Sequence, residues 1–359
     1  MDLLARPRTA PTIAPDIDAR GPVSQLVIDA LGGRVEQMWE ADLDAVVESA
    51  VAGADAVIHD DDLQLALFLL YAVHYGSLPG LDADLEWDPV LLTGRARIEA
   101  AFEEELRGIV TIPEPPEPVQ DEVASWLFRL TAPTGKKGLS HFVARKASVE
   151  QLQEFLVLRS IYTLREADPH SWAIPRLTGR AKAALMEIQF DEYGSGDASR
   201  IHAAIFAQTL RGVGLSDAYG AYLDQVPAVT LASQNLMSMF GLNRRLRGAT
   251  VGHLAAFEMT SSIPNRLYGD GFRRAGFDED VTGYFDEHVE ADAVHEQIAG
   301  RDLAGALAED EPELLGDILF GAVACLALDD IAGERMLSAW QGGESALRLP
   351  LPAAGGATR

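Results

Sequence analysis

Apolar residues recur along most of this chain at the three- and four-residue intervals that are typical of amphipathic helices. Runs that alternate apolar and polar residues, as half-buried strands do, are nearly absent. We therefore predict an all-α fold. The pattern predicts helices over residues 63–75, 91–106, 148–166, 177–202, 215–222, 228–243, 248–260 and 284–297, and a closing pair of helices within 311–340.

Proline-rich and glycine-rich stretches divide this helical pattern into parts. Residues 111–120 read TIPEPPEPVQ, and so many prolines exclude regular structure there. The pattern predicts an N-terminal leader and helical subdomain over 1–110 and a larger helical domain over 121–345. The end of the chain, 346–359, is rich in proline, glycine and alanine and is expected to be a disordered tail.

Composition narrows the range of partners and compartments. The formal net charge of the 359-residue chain is −26, so nucleic acid and anionic membrane surfaces are not expected partners. The single cysteine, Cys325, lies in an apolar run, which argues against disulfides, zinc knuckles and iron–sulfur clusters. No signal peptide and no membrane-spanning apolar run are recognisable, so the expected location is the cytoplasm.

One acidic helix carries the first candidate site. Residues 284–297 read YFDEHVEADAVHEQ, and within them His288, Asp292 and His295 follow the spacing i, i+4, i+7. At about 100° per residue, these side chains fall within about 60° of one another on a helix. Two imidazoles and a carboxylate on one face form the ligand set of non-haem iron sites. The alternative is a solvated acidic face that happens to carry two histidines.

A second cluster upstream favours the metal site. Glu166 closes an apolar helix, Glu192 lies in FDEYGSG, and His202 lies among apolar neighbours in SRIHAAIF. Each residue alone is compatible with a structural role, as a cap, a surface group or a hydrogen-bonded core histidine. Helices that each bring a carboxylate or an imidazole to a common core are, however, how diiron carboxylate bundles are built. The six candidates supply three carboxylates and three imidazoles, a balance that suits two iron ions with one bridging carboxylate.

The assignment of Glu192 has an alternative in its neighbour. Over ten residues of unbroken helix, Glu192 and His202 would face different directions, and Asp191 would align better. The glycines Gly194 and Gly196 are expected to interrupt the helix, which would remove this objection. We keep Glu192 as the ligand and Asp191 as the alternative. Glu258, in an otherwise apolar helix, is predicted either to hydrogen-bond a ligand histidine or to be a satisfied buried carboxylate.

These motifs resemble the haem-oxygenase-like diiron oxidases and oxygenases. The resemblance rests on Glu166, on a second glutamate 26 residues later in an EYG context (Glu192), on a histidine 10 residues further (His202), and on the HxxxDxxH motif that begins at His288. It covers residues 148–301. It implies a haem-oxygenase-like helical bundle with an N-terminal helical extension, two Fe(2+) per chain, and a bridging role for Glu192. At the position where some members have a further carboxylate, this chain has Ser199.

The expected function is that of an iron-dependent oxidoreductase that activates O2 and oxidises a small organic substrate. By resemblance, the reaction is N-oxygenation, desaturation or oxidative carbon–carbon cleavage, and an external electron donor supplies electrons. A homodimer is compatible with this expectation. Phe190, Phe206 and Phe257 are predicted to line the substrate pocket. The competing hypotheses are a metal-independent oxidase on the same scaffold and a non-catalytic helical interaction protein.

Overall fold

The structure, a computed structural model, describes residues 17–33, 39–135 and 137–351, without the side chains of 39–42 and 290–293. Every regular element in this part of the chain is helical, so the predicted all-α class is confirmed. None of the described helices is both long enough and apolar enough to cross a membrane. The α-helices are α1 (Pro22–Leu31), α2 (Trp39–Gly53), α3 (Asp61–Tyr75), α4 (Pro89–Ile109), α5 (Gln120–Leu130), α6 (Leu139–Arg145), α7 (Val149–Thr163), α8 (Asp168–Ser171), α9 (Gly179–Glu192), α10 (His202–Gly212), α11 (Ala228–Leu242), α12 (Arg247–Met259), α13 (Ser262–Arg274), α14 (Glu279–Gln297), α15 (Ala306–Asp310) and α16 (Leu315–Gln341).

The chain divides into two compact units, Met1–Glu105 and Leu106–Arg359. The first unit is organised around the apolar helix α3. The Asp60 side chain caps this helix by accepting a hydrogen bond from the backbone N–H of Leu63, and the helix ends at Gly76, whose φ is 63°. Most side chains between the two ends are buried, because α3 is apolar on nearly every face.

The second unit holds the larger core, which is built from α5, α9, α12, α16 and a π-helical segment, Ile298–Gly305, that continues α14. Helices α12 and α16 cross at unusually short range. A Cβ added at Gly252 would lie 1.8 Å from the carbonyl oxygen of Ile318, and one added at Gly321 would lie 2.1 Å from that of Ala249. Glycine at both positions therefore allows the two backbones to touch.

The predicted interruption between α9 and α10 is present. Helix α9 ends at Glu192, and the residues that follow adopt left-handed conformations, with φ of 78° at Gly194, 54° at Ser195 and 90° at Gly196. Two 3₁₀ turns then lead to His202, the first residue of α10. Because the helix does not run through, the directions of Glu192 and His202 are set independently.

Two helix predictions were wrong. Residues 215–222 form bends and turns instead of a helix, because Gly214 and Gly220 adopt φ values of 80° and 78°. The closing segment is one 27-residue helix, α16, instead of a pair, since its glycines lie within a continuous helix instead of breaking it. Helix α13, which the apolar pattern did not predict, precedes α14.

The two predicted terminal segments lie partly outside the described residues, namely at 1–16 and 352–359. At the start of the predicted tail, Ala346 and Leu347 are buried. The backbone N–H of Ala346 donates a hydrogen bond to the Glu154 carboxylate. These first residues of the predicted tail are therefore packed within the second unit.

Candidate metal centre

Buried carboxylates and imidazoles from five helical segments meet inside the second unit. They lie just after the end of α7, at the last residue of α9, at the first residue of α10, and within α12 and α14. None of these side chains is more than 7% exposed. They are Glu166, Glu192, His202, Glu258, His288 and His295.

The six residues form two overlapping donor groups. In the four-residue group, one ligand atom each from Glu166, Glu192, His202 and His288 lies within 4.8 Å of all the others. In the three-residue group, Glu192, Glu258 and His295 meet the same condition. Glu192 belongs to both groups, so its carboxylate lies between them.

The orientation of His288 leaves a lone pair facing a carboxylate. Its Nδ1 lies 2.8 Å from the backbone carbonyl oxygen of Tyr284, and a carbonyl can only accept, so Nδ1 carries the proton. In the neutral imidazole, Nε2 is then unprotonated, and it lies 3.3 Å from Oε1 of Glu166. Two electron-rich atoms at this distance repel each other unless a proton or a cation lies near both.

His202 and His295 present a similar arrangement. The Nδ1 atoms of both rings are buried and have no hydrogen-bond partner in the described part of the chain. Nδ1 of His202 lies 3.0 Å from Oε2 of Glu192 without hydrogen-bond alignment, and Nδ1 of His295 lies 3.4 Å from Oε2 of Glu258. The other ring nitrogen of His295, Nε2, lies 3.2 Å from the Asp191 carboxylate.

The carboxylates and imidazoles also shift one another's pKa values. Burial opposes the charged form of His295, but the carboxylates of Glu258, Asp191 and Glu192 outweigh it and raise its pKa to about 9. Burial alone would raise the pKa of Glu192, but neighbouring His202 holds it below its usual value. Burial raises the pKa of Glu258. The pKa values of Glu192 and Glu258 are thus shifted in opposite directions.

A cavity of about 30 Å³ opens beside the two donor groups. A space of this size has room for about two water molecules. Its wall includes Glu166, Glu192, Glu258 and His288 together with Arg159, Tyr162, Phe257, Ser261, Asn265 and Tyr284.

Comparison with known proteins identifies this region. The family model described as iron-containing redox enzyme matches residues 153–330, which include every member of both donor groups. Residues 153–330 belong to the iron-containing redox enzyme family. The family recognised from the sequence motifs is therefore confirmed, and the match classes the segment as that of an iron-dependent oxidoreductase.

Two relatives are similar to parts of the chain. Nitrosourea synthase from Streptomyces achromogenes subsp. streptozoticus is 29% identical over 147 residues, which are 41% of this chain and 31% of that protein. The chain thus spans less than a third of this curated relative. The crystal structure of a CADD-like protein of unknown function from Nostoc punctiforme gives a TM-score of 0.49 at 17% identity, covering 61% of this chain and 96% of that one.

The donor groups fit the iron that this family name implies. Carboxylate oxygens and neutral imidazole nitrogens are suitable ligands for iron. In addition, the lone pair of His288 and the unpartnered Nδ1 atoms of His202 and His295 face carboxylates at short range. Against the opposing effect of burial, the carboxylates raise the pKa values of His202 and His295, so protons on these rings balance the carboxylate charge in the iron-free protein. Iron among these atoms would take the place of those protons. The donor chemistry and the unpartnered atoms therefore agree with bound iron.

The structure brings together five of the six predicted ligands, Glu166, Glu192, His202, His288 and His295. The side chain of the sixth, Asp292, lies outside the described residues, although its backbone is part of α14. Asp191, the alternative to Glu192, is in neither group. Its side chain is 48% exposed, and it contacts Nε2 of His295 and accepts a hydrogen bond from Oγ of Ser195.

Sequence reasoning placed two other residues differently from the structure. Glu258, predicted either to hydrogen-bond a ligand histidine or to be a satisfied buried carboxylate, is itself a member of the three-residue group. The signal for it was present, since it is an isolated carboxylate in an apolar helix. Tyr284 received no role, but its phenol donates to Oε1 and Oε2 of Glu166 at 2.8 and 3.0 Å.

The predicted pocket phenylalanines have three different environments. Phe257 lines the cavity. Phe206 is fully buried with its ring 5.1 Å from that of Tyr284, and it is not part of the cavity wall. Phe190 is 58% exposed, so its predicted place in the pocket was wrong. As the third residue from the end of α9, it points away from the face that carries Glu192.

Proposed function

We propose that this protein is an iron-dependent oxidase or oxygenase in which a dinuclear centre and O2 oxidise a small organic substrate. The observation that carries the proposal is the position of Glu192 in both donor groups. A carboxylate has two oxygens, so one glutamate between two ligand sets can bind two ions at once. A mononuclear site has no use for a second carboxylate–imidazole group beside the first.

In this proposal the four-residue group, Glu166, Glu192, His202 and His288, holds one ferrous ion. Glu192, Glu258 and His295 hold the second, and Asp292 is added to the ligands on the strength of its spacing from His288 and His295. Bound ferrous iron supplies the electrons and the open coordination positions with which O2 is activated.

The protein's own contribution is to hold the ligands in position and to keep water out. The phenol of Tyr284 fixes the Glu166 carboxylate, and the backbone carbonyl of Tyr284 fixes the tautomer of His288. Asp191 plays the same role for His295, through Nε2. The near-complete burial of the ligands limits competing water, and this environment strengthens the interactions between charges and ligands.

The substrate is a small organic molecule that reaches the cavity beside the donor groups, and the electrons that complete the O2 chemistry come from an external donor. Oxidation at nitrogen, desaturation and oxidative cleavage of a carbon–carbon bond are the three reactions that we propose to test. The partial similarity to a nitrosourea synthase supports the inclusion of oxidation at nitrogen. Mass spectrometry of products distinguishes the three, because each changes the substrate mass differently.

Anaerobic titration with ferrous iron tests the dinuclear proposal. We expect binding to saturate at two ions per chain, and we expect O2 uptake when air is admitted with a reductant. Saturation at one ion in the intact protein would exclude the dinuclear centre. Iron binding without any O2 uptake, across a panel of candidate substrates, would favour a non-catalytic role.

A further inference from the structure

A cationic side chain lies at the cavity beside the donor groups with most of its hydrogen-bonding capacity unused. The guanidinium carbon of Arg159 lies 4.7 Å from the ring centre of Phe155 and 4.9 Å from that of Tyr268. Two aromatic faces therefore fix its position. Within the described residues, its one hydrogen bond goes to the phenol oxygen of Tyr268, at 3.3 Å. The carboxylate of Asp329 interacts with its charge without a hydrogen bond, so the other N–H groups of the guanidinium have no acceptor among these residues.

A second polar group on the same wall is also unpartnered. Asn265 is only 6% exposed and lines the cavity. Its backbone N–H donates to the carbonyl oxygen of Ser261, but its side-chain amide makes no hydrogen bond with any described residue. The amide is not fully enclosed by protein atoms, so it is open to the cavity and can bind a ligand or water there.

We propose that Arg159 and Asn265 form the subsite for a carboxylate group of the substrate. The planar guanidinium presents parallel N–H donors that match the two oxygens of a carboxylate, and the Asn265 amide supplies one donor more. Among the described residues that line the cavity, Arg159 is the only arginine or lysine.

This inference rests on the proposed function and extends it by naming a substrate class. The subsite shares its cavity with Glu166, Glu192, Glu258 and His288, so a carboxylate held by Arg159 brings the rest of the substrate next to the donor groups. The competing explanation is that Arg159 only packs between Phe155 and Tyr268 and balances the charge of Asp329. That explanation predicts a loss of stability in Arg159 variants but no change in selectivity between an acid and its amide.

Matched ligands test the subsite directly. Acetate, butyrate and hexanoate are compared with acetamide, butyramide and hexanamide by calorimetry, with iron-loaded protein under argon and with iron-free protein. We expect at least one acid to bind about tenfold or more tightly than its amide, the effect of one charge-assisted contact. Methylphosphonate serves as a different anion, and tighter binding of it than of every acid would overturn the carboxylate assignment.

Variants assign the selectivity to its residue. Arg159→Met keeps an apolar stem between the two rings but has no donors, and we expect the acid-to-amide ratio to fall to within about threefold of one. Arg159→Lys keeps the charge without the paired donors, so its ratio should be intermediate. Asn265→Ala should lower the ratio by a smaller factor. Arg129→Met, at an exposed position of α5, is the control and should leave the ratio unchanged.

The results separate this inference from the proposed function. Acid selectivity that is lost in Arg159→Met, in protein that binds no iron, would support the subsite while the dinuclear proposal failed. Two bound irons with equal affinity for acid and amide would overturn the subsite alone. Selectivity that survives in folded Arg159→Met would also overturn it, since the acid would then bind elsewhere, for example at the iron. If Arg159→Met does not fold, the other two variants decide. An unchanged acid-to-amide ratio in both Arg159→Lys and Asn265→Ala would overturn the subsite.

Discussion

The phenol of Tyr284 binds both oxygens of the Glu166 carboxylate, at 2.8 and 3.0 Å, across 118 residues of chain. The same tyrosine accepts the Nδ1 proton of His288 through its backbone carbonyl. One residue thus orients two candidate ligands of the four-residue group, one through its side chain and one through its backbone. Only the first of these contacts depends on the identity of the side chain.

Replacing Tyr284 with phenylalanine should therefore weaken iron binding without abolishing it. The change frees Glu166 but leaves the His288 contact intact, and the loss of such an orienting hydrogen bond typically costs about 10- to 100-fold in metal affinity. Ferrous titration under argon measures this loss. Tyr193→Phe removes a phenol that bonds Asp168 and Ser171 instead, so it is the matched control. Equal iron affinity in the Tyr284 variant and in the control would contradict the orienting role.

Glu192 and Asp191 are adjacent in sequence but should respond differently to substitution. Glu192→Ala removes a carboxylate common to both donor groups, so we expect neither iron to bind stably and iron-dependent O2 uptake to be lost. Asp191→Ala removes only a half-exposed partner of His295, so much of the uptake should remain. Metal analysis and an oxygen electrode measure both effects. Glu187→Ala, at an exposed position of α9, is the control. The reverse ranking of Glu192 and Asp191 would show that the assignment is off by one.

The helical class and the motif residues could be predicted from sequence because both depend on local spacing. Helical periodicity is a property of neighbouring residues, and the glycines at 194 and 196 mark the interruption that separates Glu192 from His202. The predicted helix over 215–222 failed because two glycines with positive φ outweighed weak apolar periodicity. The predicted pair within 311–340 is one helix, because Gly321 permits close packing on α12 and does not end the helix.

The remaining parts of the site depend on contacts between distant segments. Tyr284 reaches Glu166 only because α14 packs beside the end of α7, and no spacing rule relates the two residues. Arg159 and Asn265 meet at one cavity although 106 residues separate them (265 − 159). In sequence they look like any surface arginine and asparagine. Only the fold shows that most of the Arg159 donors and the Asn265 amide have no hydrogen-bond partner among the described residues.

Iron should slow hydrogen exchange in α14. The sequence of this helix places like charges at Asp286 and Glu290 and at Glu287 and Glu290, three or four residues apart, where each pair costs roughly a few tenths of a kcal/mol. Ion pairs of Asp286 with Arg273 and of Glu287 with Arg200 relieve part of this cost. Ferrous iron bound by the histidines of the same helix offsets this repulsion. We expect slower exchange for a peptide covering 284–297 with iron, under argon, than without it. The hydrogen exchange of a peptide from α16 should be the same with and without iron. Equal protection of 284–297 in both states would indicate a preformed site.

The crossing of α12 and α16 should not tolerate a methyl group. At Gly321 a Cβ would lie 2.1 Å from the carbonyl oxygen of Ala249, so Gly321→Ala must displace one backbone, at a cost of about 1–3 kcal/mol or more. Gly333→Ala, in the same helix, meets only Leu139 at 3.9 Å and should stabilise by about 0.5–1 kcal/mol through helix propensity. Urea unfolding measures both free energies. If Gly321→Ala leaves the free energy of unfolding unchanged, α12 and α16 lie farther apart than in this structure.

Two buried histidines outside the donor groups should make stability depend on pH. Nε2 of His170 lies 3.1 Å from Nδ1 of His253, whose ring is stacked on Phe257. Burial lowers the pKa of His170 to about 4, although the charge of Glu192 opposes this shift. Burial, together with the neighbouring His170, holds the pKa of His253 well below its usual value. Both rings are therefore neutral in the folded protein at neutral pH.

Because both pKa values are lower in the folded protein than in the unfolded chain, the unfolded chain takes up protons first as the pH falls. Stability should accordingly decrease as the pH falls from about 6.5 towards about 4, by an amount on the order of a few kcal/mol. His253→Phe fits between Phe240 and Phe257 and removes one of the two groups, so we expect a shallower decrease. Urea unfolding of iron-free protein at about pH 7 and about pH 5 measures the difference. His59→Gln, at an exposed position, is the control and should lose as much stability over this pH range as the unsubstituted protein. If His253→Phe loses as much stability as the unsubstituted protein over this range, the acid sensitivity arises elsewhere.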